Sequence, residues 1–274
     1  MSESPPYSGA HRARKRFGQN FLVDRSYIRQ IADSVNAKPG DHIVEIGPGQ
    51  AALTRELIKD CGSIDAVEID RDLVARLQSE FDPAQLRLHQ ADALEFDFES
   101  LPSPLRIVGN LPYNISTPIL FRLCELESHI ADMTFMLQKE VVDRMVAKGG
   151  DDARGRLSIM LQYRFKVEKQ FDVPPSAFKP VPAVDSSIVR LTPLREKRLR
   201  PKDEAFFAQL VTQAFTQRRK MLRKSLGQWI SNEGFEATNV NAQARAEELS
   251  TEEFVALSDW VSAQRKSEGE EDRQ

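Results

Sequence analysis

Asn110-Leu111-Pro112-Tyr113 gathers residue types suited to one operation on an aromatic amine. An exocyclic amine on a base is a poor nucleophile, because its lone pair is delocalised into the ring. The side-chain oxygen of Asn110 and the backbone carbonyl of Leu111 can accept its two N–H bonds. That arrangement favours a pyramidal nitrogen whose lone pair is free to attack. Pro112 fixes φ and has no N–H, which helps to hold the carbonyls in place. Tyr113 offers a flat ring on which a base can stack. Asn and Pro are also ordinary turn formers, so the elements around the tetrapeptide decide between the two readings.

Those elements predict the end of a buried strand. Leu105, Ile107 and Val108 form a short apolar run before Gly109. Beyond the tetrapeptide, Ser116-Thr117-Pro118 predicts a helix with a hydroxyl cap and proline at its first position. Open α/β sheets bind ligands at such strand-to-helix junctions. Upstream, His42–Ile46 reads as a first strand running into Gly47-Pro48-Gly49-Gln50-Ala51-Ala52, followed by a helix with Leu53, Leu57 and Ile58 inward. A second strand (Ile64, Ala66, Val67) delivers Glu68, placed to take the two ribose hydroxyls of an adenosine. A third (Leu86, Leu88) delivers Asp92, which can accept from an adenine amine or cap a helix. Leu105–Val108 is then the fourth strand, and Met133–Leu137 the fifth.

The remaining chain frames this core. Asp24 is expected to cap a helix with Ile28, Ile31, Ala32 and Val35 inward, ended by Pro39-Gly40. Leu157–Phe165 fits helix or strand. Val173–Pro182, with four prolines, predicts a stiff loop without regular structure, in which Phe178 is either presented to a ligand or plugs the core. Ser187–Leu191 is a last strand. From Thr192 to Asp203 the chain turns charged and reads as a linker. Phe206, Phe207, Leu210, Val211, Ala214 and Phe215 then recur at helical spacing, in a helix expected to continue through the basic run Gln217–Lys224.

Composition bounds the partners. The 274 residues carry a net charge of −3, with 41% hydrophobic and 29% charged residues, so the chain is no uniformly basic polyanion binder. Basic residues are nonetheless clustered: Arg12, Arg14, Lys15 and Arg16 near the start, and Arg218, Arg219, Lys220, Arg223 and Lys224 in the helical region. Two such clusters suit phosphate contacts. Two cysteines and four scattered histidines make neither a disulfide framework nor a metal site, and no run is long enough to span a bilayer. A reducing, cytoplasmic setting is the expectation.

Taken in order, Arg14-Lys15-Arg16-Phe17-Gly18-Gln19-Asn20-Phe21-Leu22, Val44-Glu45-Ile46-Gly47-Pro48-Gly49 and Asn110-Leu111-Pro112-Tyr113-Asn114-Ile115-Ser116 resemble one family. Val173-Pro174-Pro175-Ser176-Ala177-Phe178, Val184-Asp185-Ser186 and Gln217-Arg218-Arg219-Lys220 complete the set. It is the family of small-subunit ribosomal RNA adenine N6,N6-dimethyltransferases of the KsgA type. The resemblance implies a Rossmann-type, S-adenosylmethionine-dependent methyltransferase domain with a small all-helical C-terminal domain. It implies 16S rRNA in an assembling small subunit as partner, two adjacent adenosines near its 3′ end as target, and action as a monomer without metal. Asn20, Leu22, Gly47, Glu68, Asp92 and Asn110 would contact the cofactor, and Tyr113 and Phe178 would sandwich the target adenine. The domains expected are a tail at 1–10, the methyltransferase domain at 11–193, a linker at 194–203, a helical RNA-contacting domain at 204–264, and a disordered tail at 265–274. Ala183 stands where the family often has lysine, and Asp151 and Asp152 keep the loop at 149–154 off the RNA surface.

Three other readings compete with this one. An NAD oxidoreductase would fit the glycine turn but would need a proton relay near the fourth strand, which is missing. Methyltransferases of DNA adenine or of large-subunit rRNA share Asn-x-Pro-Tyr; the proline loop and the Gln-Arg-Arg-Lys run favour the small-subunit family. A non-catalytic assembly factor has no use for Asn110, Tyr113, Glu68 and Asp92 together.

Overall fold

The computed structural model describes residues 20–112 and 115–271, with side chains as far as Arg265. Arg12, Arg14, Lys15, Arg16 and Tyr113 therefore lie outside the described residues, as does the expected tail at 1–10. Two compact units divide the chain: Met1–Lys139 with Gln170–Val189, and Glu140–Lys169 with Arg190–Gln274. Residues 140–169 thus go with the C-terminal helices, and the boundary differs from the expected one at 193–204.

The first unit begins with β1 (Phe21–Leu22) and α1 (Arg25–Val35). Asp24 caps α1 by accepting from the Ser26 and Tyr27 amides at 2.8 and 3.4 Å. The four residues expected inward (Ile28, Ile31, Ala32 and Val35) are its buried ones. Asn36, at φ 54°, ends the helix by donating its N–H to the Ala32 carbonyl, ahead of Pro39-Gly40.

Five parallel strands follow the expected order: β2 (His42–Ile46), β3 (Ile64–Glu68), β4 (Leu86–Gln90), β5 (Leu105–Asn110) and β6 (Ile130–Gln138). Between them lie α2 (Ala52–Cys61), α3 (Arg71–Glu80) and α4 (Ser116–Glu125). The sheet runs β4-β3-β2-β5-β6 and is extended by β9 (Ser186–Pro193) and β7 (Phe165–Val173). Chain direction across the sheet reverses between β2 and β5. That switch point opens a crevice at the carboxyl ends of those two strands. Arg106 of β5 anchors the opposite end. It donates to the Val35 carbonyl at 2.6 Å, to Asp41 at 2.6 Å and to Asp132 of β6 at 3.0 Å.

Some local expectations are corrected. Ile115, without a side-chain cap, precedes α4, so Ser116 is its first residue and Pro118 its third. The proline segment is more regular than expected: Pro175–Ala177 makes one 3-10 turn and Phe178–Lys179 is a strand, β8. Residues Phe21 and Leu22 pair with Lys179 and Phe178, and the Val23 amide donates to the Ala177 carbonyl at 2.9 Å. This pairing supplies partners that the prolines cannot.

The second unit holds α5 from Glu140 on (the helix spans Lys139–Val146), α6 (Arg156–Gln162), α7 (Glu204–Thr216), α8 (Leu222–Ser225), α9 (Asn232–Ala237) and α10 (Thr251–Glu271). Leu157–Phe165 resolves into helix up to Gln162 and strand from Phe165. The aromatic-rich face of α7 is buried through Phe206, Phe207, Leu210, Val211 and Ala214. The helix does not continue into the basic run. It stops at Thr216, because Leu222 is drawn into the core and its amide donates to the Ala244 carbonyl at 2.8 Å. Helix α10 runs on to Glu271, into the stretch expected to be disordered. Among the described residues, no helix is long and apolar enough to cross a membrane.

Candidate active site

Two turns meet at the switch point. The glycine loop after β2 has three left-handed residues, Gly47 (φ 67°), Gly49 (φ 56°) and Ala51 (φ 61°), and the Gly47 amide is pinned to the Val67 carbonyl at 2.9 Å. At Gly49 a Cβ would also come within 3.3 Å of the Phe21 ring, so both the left-handed backbone and the tight space favour glycine. After β5 the chain turns with Leu111 buried and its amide donating to the Met136 carbonyl of β6 at 3.2 Å. Gly109, just before, lets β5 lie against β2; a Cβ there would be 2.7 Å from the Ile46 carbonyl oxygen.

Asn110 sits between the two turns. Its amide nitrogen donates to the Asn20 carbonyl at 3.1 Å, which leaves the side-chain oxygen as the acceptor for a ligand. A cavity of about 60 Å³ opens beside it, with Phe21, Leu22, Gly47, Gly49, Asn110 and Met136 in its wall. So Leu22, Gly47 and Asn110 of the expected cofactor residues share one pocket, and Asn20 is tied to it through Asn110.

Glu68 ends β3 and Asp92 follows β4, on the β2 side of the switch point. Glu68 is buried; its carboxylate accepts from the Asp70 amide at 2.9 Å and the Gly49 amide at 3.3 Å. Burial pushes its pKa up, against those backbone hydrogen bonds. The half-buried Asp92 accepts from the Leu94 amide at 2.9 Å and caps a turn, not a helix. Each carboxylate retains lone pairs for a nucleoside, in the positions that the βαβ reading gives them.

Of the two placements open to Phe178, the structure has the core one. It is 1% exposed and packs with Leu22, Ile28, Ile31 and Met136. The β1–β8 pairing draws it inward, so it supports the wall behind Leu22. Pro112 is half-buried, and its carbonyl accepts from the Ile115 amide at 3.1 Å.

Two pocket residues were missed. Glu45 of β2 is 3% exposed, and its carboxyl accepts from the Thr54 hydroxyl at 2.5 Å. Burial, reinforced by the nearby Glu68, raises its pKa from 4.5 to about 7. Thr134 of β6 is equally buried, and its hydroxyl has no hydrogen-bond partner. The signal was present for Glu45, a lone carboxylate in the apolar strand His42–Ile46. Nothing local marks Thr134.

In the second unit, Arg218, Arg219, Lys220, Arg223 and Lys224 are all exposed. Arg218 is partly engaged, with Glu247 at 3.4 Å and with the Asp152 carbonyl.

A family model described as ribosomal RNA adenine dimethylase matches residues 10–263. "Ribosomal RNA small subunit methyltransferase A" of Aromatoleum aromaticum is 53% identical over 253 residues, covering 92% of this chain and 96% of that protein. The protein of the same name from Acinetobacter baylyi is 50% identical over 260 residues, with 93% and 95% covered. Among solved structures, a dimethyladenosine transferase from Plasmodium falciparum superposes with a TM-score of 0.74 at 25% identity, over 86% of this chain and 95% of that one. The 23S rRNA methyltransferase ErmE does so with 0.72 at 28%, over 89% and 100%. With the family model matching residues 10–263 and relatives about half identical over more than nine-tenths of the chain, this chain belongs to the ribosomal RNA adenine dimethylase family.

Proposed function

We propose that the protein dimethylates the N6 amines of two adjacent adenosines near the 3′ end of 16S rRNA in an assembling small ribosomal subunit, acting as a monomer in the cytoplasm, with Asn110 and Leu111 as the groups that present the amine. The observation that carries this reading is the Asn110 amide. Its nitrogen donates to the Asn20 carbonyl, which leaves its oxygen as the free acceptor, and the residue lines the pocket at the switch point.

The residues suit S-adenosylmethionine: a left-handed glycine loop allows close backbone approach, and a buried hydroxyl without a partner lines the cavity. When bound, this group supplies a methyl on a sulfonium; the new C–N bond forms as the C–S bond breaks and its electron pair returns to sulfur. Glu68 would hold the ribose hydroxyls, Asp92 the adenine amine, and Leu22, Gly47 and Asn110 the rest. The attacking amine becomes partly cationic, so its hydrogen bonds to the Asn110 oxygen and the Leu111 carbonyl strengthen in the transition state. No strong base is needed, because the methylated ring amine is acidic and loses its proton readily. The monomethyl amine keeps one N–H, so the second transfer engages one acceptor and needs room for a methyl group.

Tyr113 would stack on the extruded adenine. A stacking role for Phe178 would require its covered ring to become accessible, so its first role here is support. Arg218, Arg219, Lys220, Arg223 and Lys224, with Arg12, Arg14, Lys15 and Arg16, supply phosphate contacts independent of sequence.

Single-turnover methylation of undermethylated small subunits, with mono- and dimethyladenine counted separately, tests the assignment. Asn110→Ala should slow both additions by roughly 10²–10³, the range for one preorganised polar contact, with subunit affinity little changed. A folded, subunit-binding Asn110→Ala protein that dimethylates at the wild-type rate would overturn it.

A further inference from the structure

The mouth of the pocket beside Asn110 has an exposed apolar rim that the proposed chemistry does not use. Among the described residues five large hydrophobic side chains are exposed, and three of them, Val23 (39%), Val181 (65%) and Val184 (43%), lie in the stretches that follow β1 and β8. Single exposed valines are ordinary, but a cluster beside a cleft marks a surface that something covers. Strand pairing places this cluster. Lys179 of β8 faces Phe21 of β1, a residue of the pocket wall, and the Val23 amide donates to the Ala177 carbonyl at 2.9 Å. At the other end of the loop, the Asp185 carbonyl accepts from the Lys139 amide at 3.0 Å, just past the carboxyl end of β6. On that strand Met136, also in the pocket wall, is the register partner of Asn110. Residues 180–184 therefore run along the edge of the mouth, from the β1 side to the β6 side. Val181 follows Lys179 by two residues, at most about 7 Å along the chain.

The composition of the rim selects what it can meet. Pro180, Val181, Ala183 and Val184 are exposed and have no polar side-chain atom, while Pro182 between them is buried and seats the loop. Ala183 stands where the family often has lysine, so a cation that would meet a phosphate is missing there. Asp185, which closes the loop, is exposed and repels one. Of the two lysines at the ends, Lys139 is ion-paired with Asp172, and Lys179 is exposed. Such a surface suits the apolar, uncharged face of a nucleobase better than the charged backbone. A protein partner could also cover valines, but the rim borders a pocket assigned to one nucleotide, and the next nucleotide is covalently attached to it.

We propose that this rim, Val181 and Val184 with Val23, holds the base that adjoins the target adenosine while the target occupies the pocket. The inference rests on the rRNA reading above and deepens it. Extruding the target strips its neighbour of a stacking partner and uncovers a ring face. Apolar side chains pressed against an opened base step take the place of the lost stack. The neighbour is joined to the target by one phosphodiester, so it reaches the border of the mouth whichever way the rest of the RNA runs. Because the rim lies on one side of the mouth, it serves one flank of the target. For one adenosine of the pair, the base on that flank is the other adenosine. A purine covers more of the valines than a pyrimidine does, so the rim favours adenine beside the target.

Single-turnover methylation tests this on undermethylated small subunits in which one or the other adenosine of the pair is replaced by uridine, so that each keeps one target. With wild type, one of the two replacements should slow the remaining adenosine roughly tenfold, the scale of a lost base stack. Val181→Ser combined with Val184→Ser should slow that same adenosine by a similar factor on unsubstituted subunits. On the uridine subunit the serine protein should lose little more, so the two changes do not add. Val181→Leu with Val184→Leu, which keeps the apolar surface, should recover most of the rate that serine loses. Calorimetry with S-adenosylhomocysteine should give the serine protein the wild-type affinity, since none of the three valines is in the pocket wall. The proposal fails if neither uridine replacement slows wild type, or if the serine protein keeps the wild-type rate. It fails equally if serine costs the same factor beside uridine as beside adenosine, because the rim would then meet the backbone or a ribosomal protein. Wild-type protein that methylates no undermethylated subunit would instead sink the rRNA reading on which the proposal rests.

Discussion

Replacing Gly109 with alanine tests whether the packing of β5 on β2 sets the position of Asn110. A Cβ at 109 would lie 2.7 Å from the Ile46 carbonyl oxygen and 3.2 Å from a Leu111 methyl. Ordinary contact begins near 3.4 Å, so the strands must part by about 0.7 Å at the point where Ile46 faces Gly109. The opposing atom is backbone in a parallel pair and cannot rotate away. Inserting a methyl into such a packed place costs about 1–3 kcal/mol, which for a domain of this size lowers Tm by roughly 2–10 °C. The next residue is Asn110, whose oxygen must meet the amine. A misplacement near 1 Å can cost about 10² in rate, so the methylation rate should fall roughly tenfold to a hundredfold in protein that remains folded. Thermal unfolding and single-turnover methylation on the same preparation provide the readout. A Gly109→Ala protein with wild-type Tm and wild-type rate would show that the sheet absorbs the methyl, and the reasoning would fail.

Other perturbations separate fold from site. Arg106→Met should destabilise by about 3–5 kcal/mol in urea unfolding, since it leaves Asp132 buried beside lost Val35 and Asp41 contacts. Glu68→Ala should weaken S-adenosylhomocysteine binding, each charge-assisted ribose bond being worth roughly 1.5–3 kcal/mol; calorimetry reads it directly. Between its unfolded value of 4.5 and its folded value of about 7, Glu45 holds more proton in the folded state, so stability falls as pH rises through that window. Glu45→Gln should remove that fall, with a gain on the order of 3 kcal/mol above pH 7 that fades toward pH 4.5. Charge reversal at Arg219, Lys220, Arg223 and Lys224 should flatten the salt dependence of subunit binding by about one log–log unit per lost contact; an unchanged slope would make them solvated faces.

Much of this protein is legible in the linear chain because the deciding signals are local. Of the five strands ending at Ile46, Glu68, Gln90, Asn110 and Gln138, four carry apolar runs and the third shows the alternating Leu86 and Leu88, and α1 shows its buried face in residue spacing alone. Asn-Leu-Pro-Tyr and the glycine loop announce themselves because their chemistry depends on residues adjacent in sequence. What tertiary structure decided depends on neighbours from elsewhere. Phe178 looks presentable in a proline-rich segment, but pairing with Leu22 buries it. The helix through Arg218 stops at Thr216 because Leu222 meets Ala244, a partner no window of sequence around 220 contains. Residues 140–169 join the C-terminal helices through contacts such as that of Arg154 with Leu249 and Thr251. Glu45 and Thr134 are 89 positions apart in the numbering and line one pocket only when β5 is laid between their strands. Register across a sheet is a property of paired backbones, so a site built along a row of three strands is written in the sequence but readable only in the fold.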